Sequence, residues 1–232
     1  MSRVLVNYAK SPVVLVAPHG YKGDDYNTDL ITKFAAEKIN CSYLINQGWE
    51  RSHTFSEEND RADCNNYRHM ANDTLADEFL LPYKRLCLRA KKLYGQVLVV
   101  FIHGVSNDIR KTSGVKNVDM IMGYGLGTPE SITCSKVIRE SFIYELYTDD
   151  INCAVGKSGG GYAGFGRHNM NQFWRKIEKD LFINSIQLEI VKDLRSDADM
   201  CKETASSISY AAEKASRITH FTLPYSFKYD SI

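Results

Sequence analysis

None of the six cysteines forms a CxxC pair, and no regular spacing links Cys41, Cys64, Cys87, Cys134, Cys153 and Cys201. Without such a framework, a chain of 232 residues with an ordinary core reads as one carrying free thiols in a reducing cytoplasm. An excess of one charge is also missing. Twenty-nine Lys and Arg face 28 Asp and Glu, a formal +1, so no global field draws the chain to nucleic acid or to a membrane. The 14 tyrosines and 10 phenylalanines do not make a nucleic-acid surface without a basic excess. There is no long apolar run: Asn7 and Lys10 interrupt the N-terminal stretch, which reads as strands and not as a leader peptide or a membrane span. No repeat, low-complexity tract or linker divides the sequence, so one domain is expected over 1–232.

Several catalytic signatures are absent as well. No GxSxG elbow marks a serine nucleophile. Gly156-Lys157-Ser158 lacks the phosphate-loop glycine five positions earlier, where Ile151 stands. Gly123, Gly125 and Gly127 follow a strand without GxGxxG spacing and fit a turn that shapes a site.

What is present is alternation. With 44% apolar and 25% charged residues, short β-branched runs alternate with segments of helical period, the pattern of an α/β sheet. Strands are expected at Val13–Ala17, Ser42–Asn46, Gln96–His103, Val118–Met122, Asn152–Val155 and Ser185–Val191. Helices are expected over Thr28–Ile39, from Asp73 or Thr74 to Leu93 with Gly95 as the stop, from Ser131 to Tyr144, Asn171–Leu181 and Asp197–Ala215. The 47–72 stretch has no clear period and is a candidate for site loops. The aromatic tail from Thr219 to Ile232 is expected to pack back on the domain. The expected architecture is three-layered, a mostly parallel sheet with helices on both faces. A ligand site in such a sheet lies beyond the carboxyl ends of the strands.

Three strands end in polar residues. VVLVAPHGYKGDDYNT places His19 at a strand terminus, with Asp24 and Asp25 in the turn before a helix. VLVVFIHG places His103 in the equivalent position, and SIQLEIV carries Glu189 between apolar neighbours. A catalytic zinc takes three protein ligands from His and Asp or Glu and keeps one position for water; two strand-end histidines and a carboxylate supply such a set. Glu189 suits the role of general base, because an unpaired carboxylate among apolar flanks is costly without a task.

The ordered motifs APHG (17–20), GDDYNTD (23–29), IHG (102–104), SGGGYAGFGRH (158–168) and IQLEI (186–190), with Leu194–Arg195 shortly after, resemble those of the N-formylglutamate amidohydrolase family. They are more loosely similar to those of poly-γ-glutamate hydrolases and zinc carboxypeptidases. The resemblance implies a phosphorylase/hydrolase-like α/β fold and a single Zn2+ held by His19, one of Asp24 and Asp25 (Asp25 by its spacing to Thr28), and His103, with Glu189 as general base. It places Asn65 and Arg167 at the substrate, a small molecule such as an N-acyl amino acid or peptide-like carboxylate.

One position departs from the family pattern. Its Asp-x-Asn-Arg motif reads Asp63-Cys64-Asn65-Asn66 here, and a neutral amide cannot replace a bidentate guanidinium. Arg51, Arg61, Arg68 and Arg167 are the candidates to compensate. The expected function is therefore zinc-dependent hydrolysis of a small amide or peptide bond, the alternative being a non-catalytic α/β protein that keeps the pocket for a small ligand.

Overall fold

The computed structural model describes residues 2–21, 25–112, 117–160 and 162–218. The expected positions Asp24 and Thr219 to Ile232 lie outside the described residues.

Seven strands form one mixed sheet in the order β1-β3-β2-β4-β7-β5-β6. They are β1 (Val4–Asn7), β2 (Val13–Ala17), β3 (Ser42–Asn46), β4 (Val97–Val105), β5 (Met120–Gly123), β6 (Cys153–Val155) and β7 (Ile183–Val191). The pairs β2/β3, β2/β4, β4/β7 and β5/β6 are parallel; β1/β3 and β5/β7 are antiparallel. The helices are α1 (Thr28–Ile39), α2 (Asp73–Leu75), α3 (Leu81–Tyr94), α4 (Ile109–Thr112), α5 (Lys136–Thr148) and α6 (Ala198–Ser216).

Side-chain alternation along the central strands divides the core into two layers. Leu15, Leu98, Val100, Ile102, Ile186 and Leu188 meet apolar residues of α1, α5 and α6 on one face. Val14, Val16, Val99 and Phe101 meet Tyr83, Leu86 and Cys87 of α3, with Trp49 and Trp174, on the other. This is the three-layer α/β architecture expected.

Several boundaries differ from the sequence expectation for local reasons. The Asn72 side chain, not Asp73 or Thr74, caps α2 by accepting from the Thr74 and Leu75 N–H groups. A single π turn (Ala76–Leu80) then leads into α3, and Gly95 ends α3 at φ 79°. Ser131 closes a 3-10 turn (Pro129–Ser131). The chain stays extended until Lys136 because Thr133 is tied to the sheet: the Ser185 N–H donates to its carbonyl and its hydroxyl donates to the Ser185 carbonyl. Over 170–177 the expected helix is replaced by a 3-10 turn and a π turn. There the Asn171 and Gln172 side chains turn inward to bond Thr133, Ser185, Ser131 and Gly164.

Candidate metal centre

Every residue of β2 is buried. Pro18 follows and lacks the N–H needed to extend the ladder, so the chain leaves the sheet at His19. Asn46, at the end of β3, donates to the Pro18 carbonyl at 3.0 Å and fixes this exit. The next described turn is anchored to His19 itself: the Asp25 N–H donates to the His19 carbonyl at 3.3 Å. Thr28 closes it by donating from its N–H and hydroxyl to the Asp25 carbonyl, at 3.1 and 2.8 Å.

His103 is on β4, the central strand next to β2, and its Cα partner across the β4/β7 ladder is Glu189. Ile186, Leu188 and Ile190 point into the α1/α5/α6 layer, so Gln187 and Glu189 project to the opposite face. The adjacency of buried His103 and half-buried Glu189 thus follows from strand order and parity.

His19, Asp25 and His103 are buried and offer ligand atoms that all lie within 4.8 Å of one another. Nδ1 of His19 is 3.3 Å from Asp25 Oδ2, and Nδ1 of His103 is 3.1 Å from the same oxygen. Ligands around a tetrahedral zinc with bonds of about 2.0–2.1 Å are about 3.3 Å apart. Nε2 of His19 is 2.9 Å from Asp63 Oδ1. A ring with a carboxylate oxygen at each nitrogen donates from both only as the imidazolium. Burial alone would lower the His19 pKa, but the bonds to Asp25 and Asp63 overcome it and raise it to about 9. The pocket thus demands a positive charge at Nδ1, and a divalent cation meets the same demand while Asp63 keeps Nε2–H, the usual arrangement behind a metal-binding histidine. The donor set fits zinc.

Burial pushes the Glu189 carboxyl above its usual pKa; His103 opposes the shift and the Asp25 charge adds to it. Gln187 donates from Nε2 to Glu189 Oε1 at 3.1 Å, and Asn169 donates to Gln187 Oε1 at 3.0 Å. A cavity of about 390 Å³ opens onto the two histidines, Asp25 and Glu189, with Arg51 and Tyr162 also on its wall. An Arg51 guanidinium nitrogen is 4.0 Å from Asp25 Oδ1. A second cavity of about 200 Å³ shares Asn65 and Asn169 with the first, and Arg167 lies there and not beside the His-Asp-His group. Asn66 is occupied locally, its Oδ1 accepting from the Arg68 N–H at 3.1 Å. Arg61 faces Glu50.

In the sequence Asp63 stands only as a motif position, and Gln187 is not marked as a site residue. The period-two alternation Ser185, Gln187, Glu189 was the available signal for Gln187. For Asp63 the Asp-x-Asn pattern marked the residue but not its partner, because His19 is 44 positions away and Asp63 lies in an aperiodic stretch.

No protein-family model matches the chain, and no curated protein matches its sequence. Solved structures do. An N-formylglutamate amidohydrolase from Ralstonia eutropha is similar at a TM-score of 0.61 and 12% identity, covering 93% of this chain and 98% of its own. A bacteriophage poly-γ-glutamate hydrolase is similar at 0.53 and 14%, covering 90% and 86%. A carboxypeptidase A candidate from Shewanella denitrificans is similar at 0.50 and 11%, covering 92% of this chain and 60% of its own. The likeness is one of fold.

Proposed function

We propose that this protein is a zinc-dependent hydrolase of a small amide or peptide bond, with the metal on His19, Asp25 and His103. The observation that carries the reading is the buried His-Asp-His group with Glu189 beside His103 on the neighbouring strand. That the similar folds include an amidohydrolase and a poly-γ-glutamate hydrolase supports it.

Zinc in such a set supplies an acidified water and polarises the scissile carbonyl. Glu189 takes the proton: Oε1 is held by Gln187, Oε2 receives it, and the raised pKa lets the carboxyl pass it to the departing amine. Asp63 holds His19 in the orientation that presents Nδ1. Arg51, on the wall of the same cavity, takes over the anion-binding role absent at Asn66, while Asn65 and Arg167 contact the part of the substrate that extends into the adjoining cavity. The substrate is a small molecule, an N-acyl amino acid or peptide-like carboxylate. Among the described residues no helix is long and apolar enough to cross a membrane, and all six cysteines are unpaired; we place the enzyme in the cytoplasm.

Elemental analysis of protein purified without chelator should find about one zinc per chain, and a panel of N-acyl amino acids and short peptides should reveal turnover. Glu189→Gln should lower kcat by about 10²–10⁴ while metal content is unchanged. Absence of metal, with no gain of activity on adding zinc, would sink the reading.

A further inference from the structure

Arg195 is buried, at 6% exposure, in the 3-10 turn that follows β7. Its guanidinium donates to three backbone carbonyls from three separate segments. Nε reaches Ile190 at 3.1 Å, Nη1 reaches Tyr26 at 2.6 Å, and Nη2 reaches Val105 at 3.1 Å. Each carbonyl lies within two residues of a member of the site: Tyr26 follows Asp25, Val105 is two beyond His103, and Ile190 follows Glu189. The contact is returned, since Asn27 donates from Nδ2 to the Arg195 carbonyl at 2.9 Å. Asn27 is itself at φ 65°, so the turn after Asp25 is held from both sides.

The fit is close. A Cβ on Gly104 would stand 2.5 Å from Cζ of Arg195, so the guanidinium occupies space that only glycine leaves open beside His103. Taking a cation out of water without a paired carboxylate is costly. What this cation gains is a planar fork of fixed geometry, which a lysine or an apolar side chain cannot reproduce across three carbonyls.

We propose that Arg195 is a positioning residue that sets the spacing of Asp25, His103 and Glu189, so that removing it weakens the metal site more than the fold. The proposal rests on the zinc reading above. Its test measures zinc affinity by chelator competition and, separately, the visible spectrum of the Co2+-substituted protein, which reports ligand geometry. Thermal melts of the metal-free proteins supply the stability control. Arg195→Met keeps the apolar stem and should weaken zinc binding about 10- to 100-fold, the range for groups that orient metal ligands, with an altered Co2+ spectrum. Gly104→Ala should do the same by displacing the guanidinium, and Arg195→Met with Gly104→Ala should be no worse than Arg195→Met alone, because the methyl then has room. Asn27→Gly keeps the left-handed backbone and removes only the return bond; it should weaken zinc binding to a smaller degree, and it carries the test with Gly104→Ala if Arg195→Met does not fold. Variants that melt lower but bind zinc within twofold of the parent, with an unchanged Co2+ spectrum, overturn the proposal alone. A parent that binds neither ion overturns the zinc reading and this proposal with it.

Discussion

The Asp63 carboxylate meets the cluster at one atom, His19 Nε2, and through it controls how the ring presents Nδ1. Asp63→Ala should therefore weaken zinc binding by about 10- to 100-fold, read by chelator competition. In the metal-free protein it should also lower the His19 pKa, read by NMR titration, because one of the two bonds that raise it is gone. On the proposed reading Arg51 acts on the substrate side, from the wall of the same cavity. Arg51→Gln should reduce kcat/KM by about 10²-fold while leaving zinc affinity within a few-fold; an unchanged kcat/KM removes Arg51 from substrate recognition. His19, His103 and Glu189 were legible as residues because each sits at or near the end of an apolar run. The choice between Asp24 and Asp25 was legible only as spacing; among the described residues, which do not include Asp24, Asp25 stands in the cluster. Asp63 and Arg51 come from the 47–72 stretch, where no periodicity constrains direction, so their approach to Asp25 and His19 is a tertiary fact.

At the level of elements, β2, β3 and α1 match the sequence expectation residue for residue, and the other expected strands do so within two residues. Uniform apolar runs leave a buried parallel strand no alternative. Helical starts were less legible. The segments 131–135 and 170–177 carry helical periodicity, yet their polar side chains form better bonds across the fold than along the chain. The same region explains a glycine. A Cβ on Gly123, the last residue of β5, would stand 2.4 Å from the Tyr162 carbonyl oxygen and 2.6 Å from Gly164 N, so the cavity wall at Tyr162 depends on close backbone contact. Gly123→Ala should destabilise by about 1–3 kcal/mol in thermal or denaturant melts and should raise KM by displacing Tyr162. A variant with parental stability means the segment yields without cost.

For the whole molecule, charge and metal are linked. In the metal-free protein the His19 pKa is raised from 6.5 to about 9, so its contribution to stability is fully present below pH 6.5 and is lost as pH rises through 9. Asp25, held well below the usual carboxylate range by its bonds to His103 and His19 against the cost of burial, contributes above its unfolded pKa and fails only in acid. The Tm with chelator present should thus fall between pH 6.5 and 9.5. On the proposed ligand set zinc would displace the His19 proton and should bind more tightly over the same interval, so the Tm gain on adding zinc should widen with pH; a constant gain would contradict the proposed ligand role of His19. The chain order of the site has a consequence for biosynthesis. His19, Asp25, Asp63 and His103 all precede residue 105, whereas Glu189 and Arg195 belong to the last fifth of the sequence. On the proposed assignment, a growing chain therefore carries the three ligand residues long before Glu189 and Arg195 are made, and a product truncated before β7 would lack both the base and the arginine clamp.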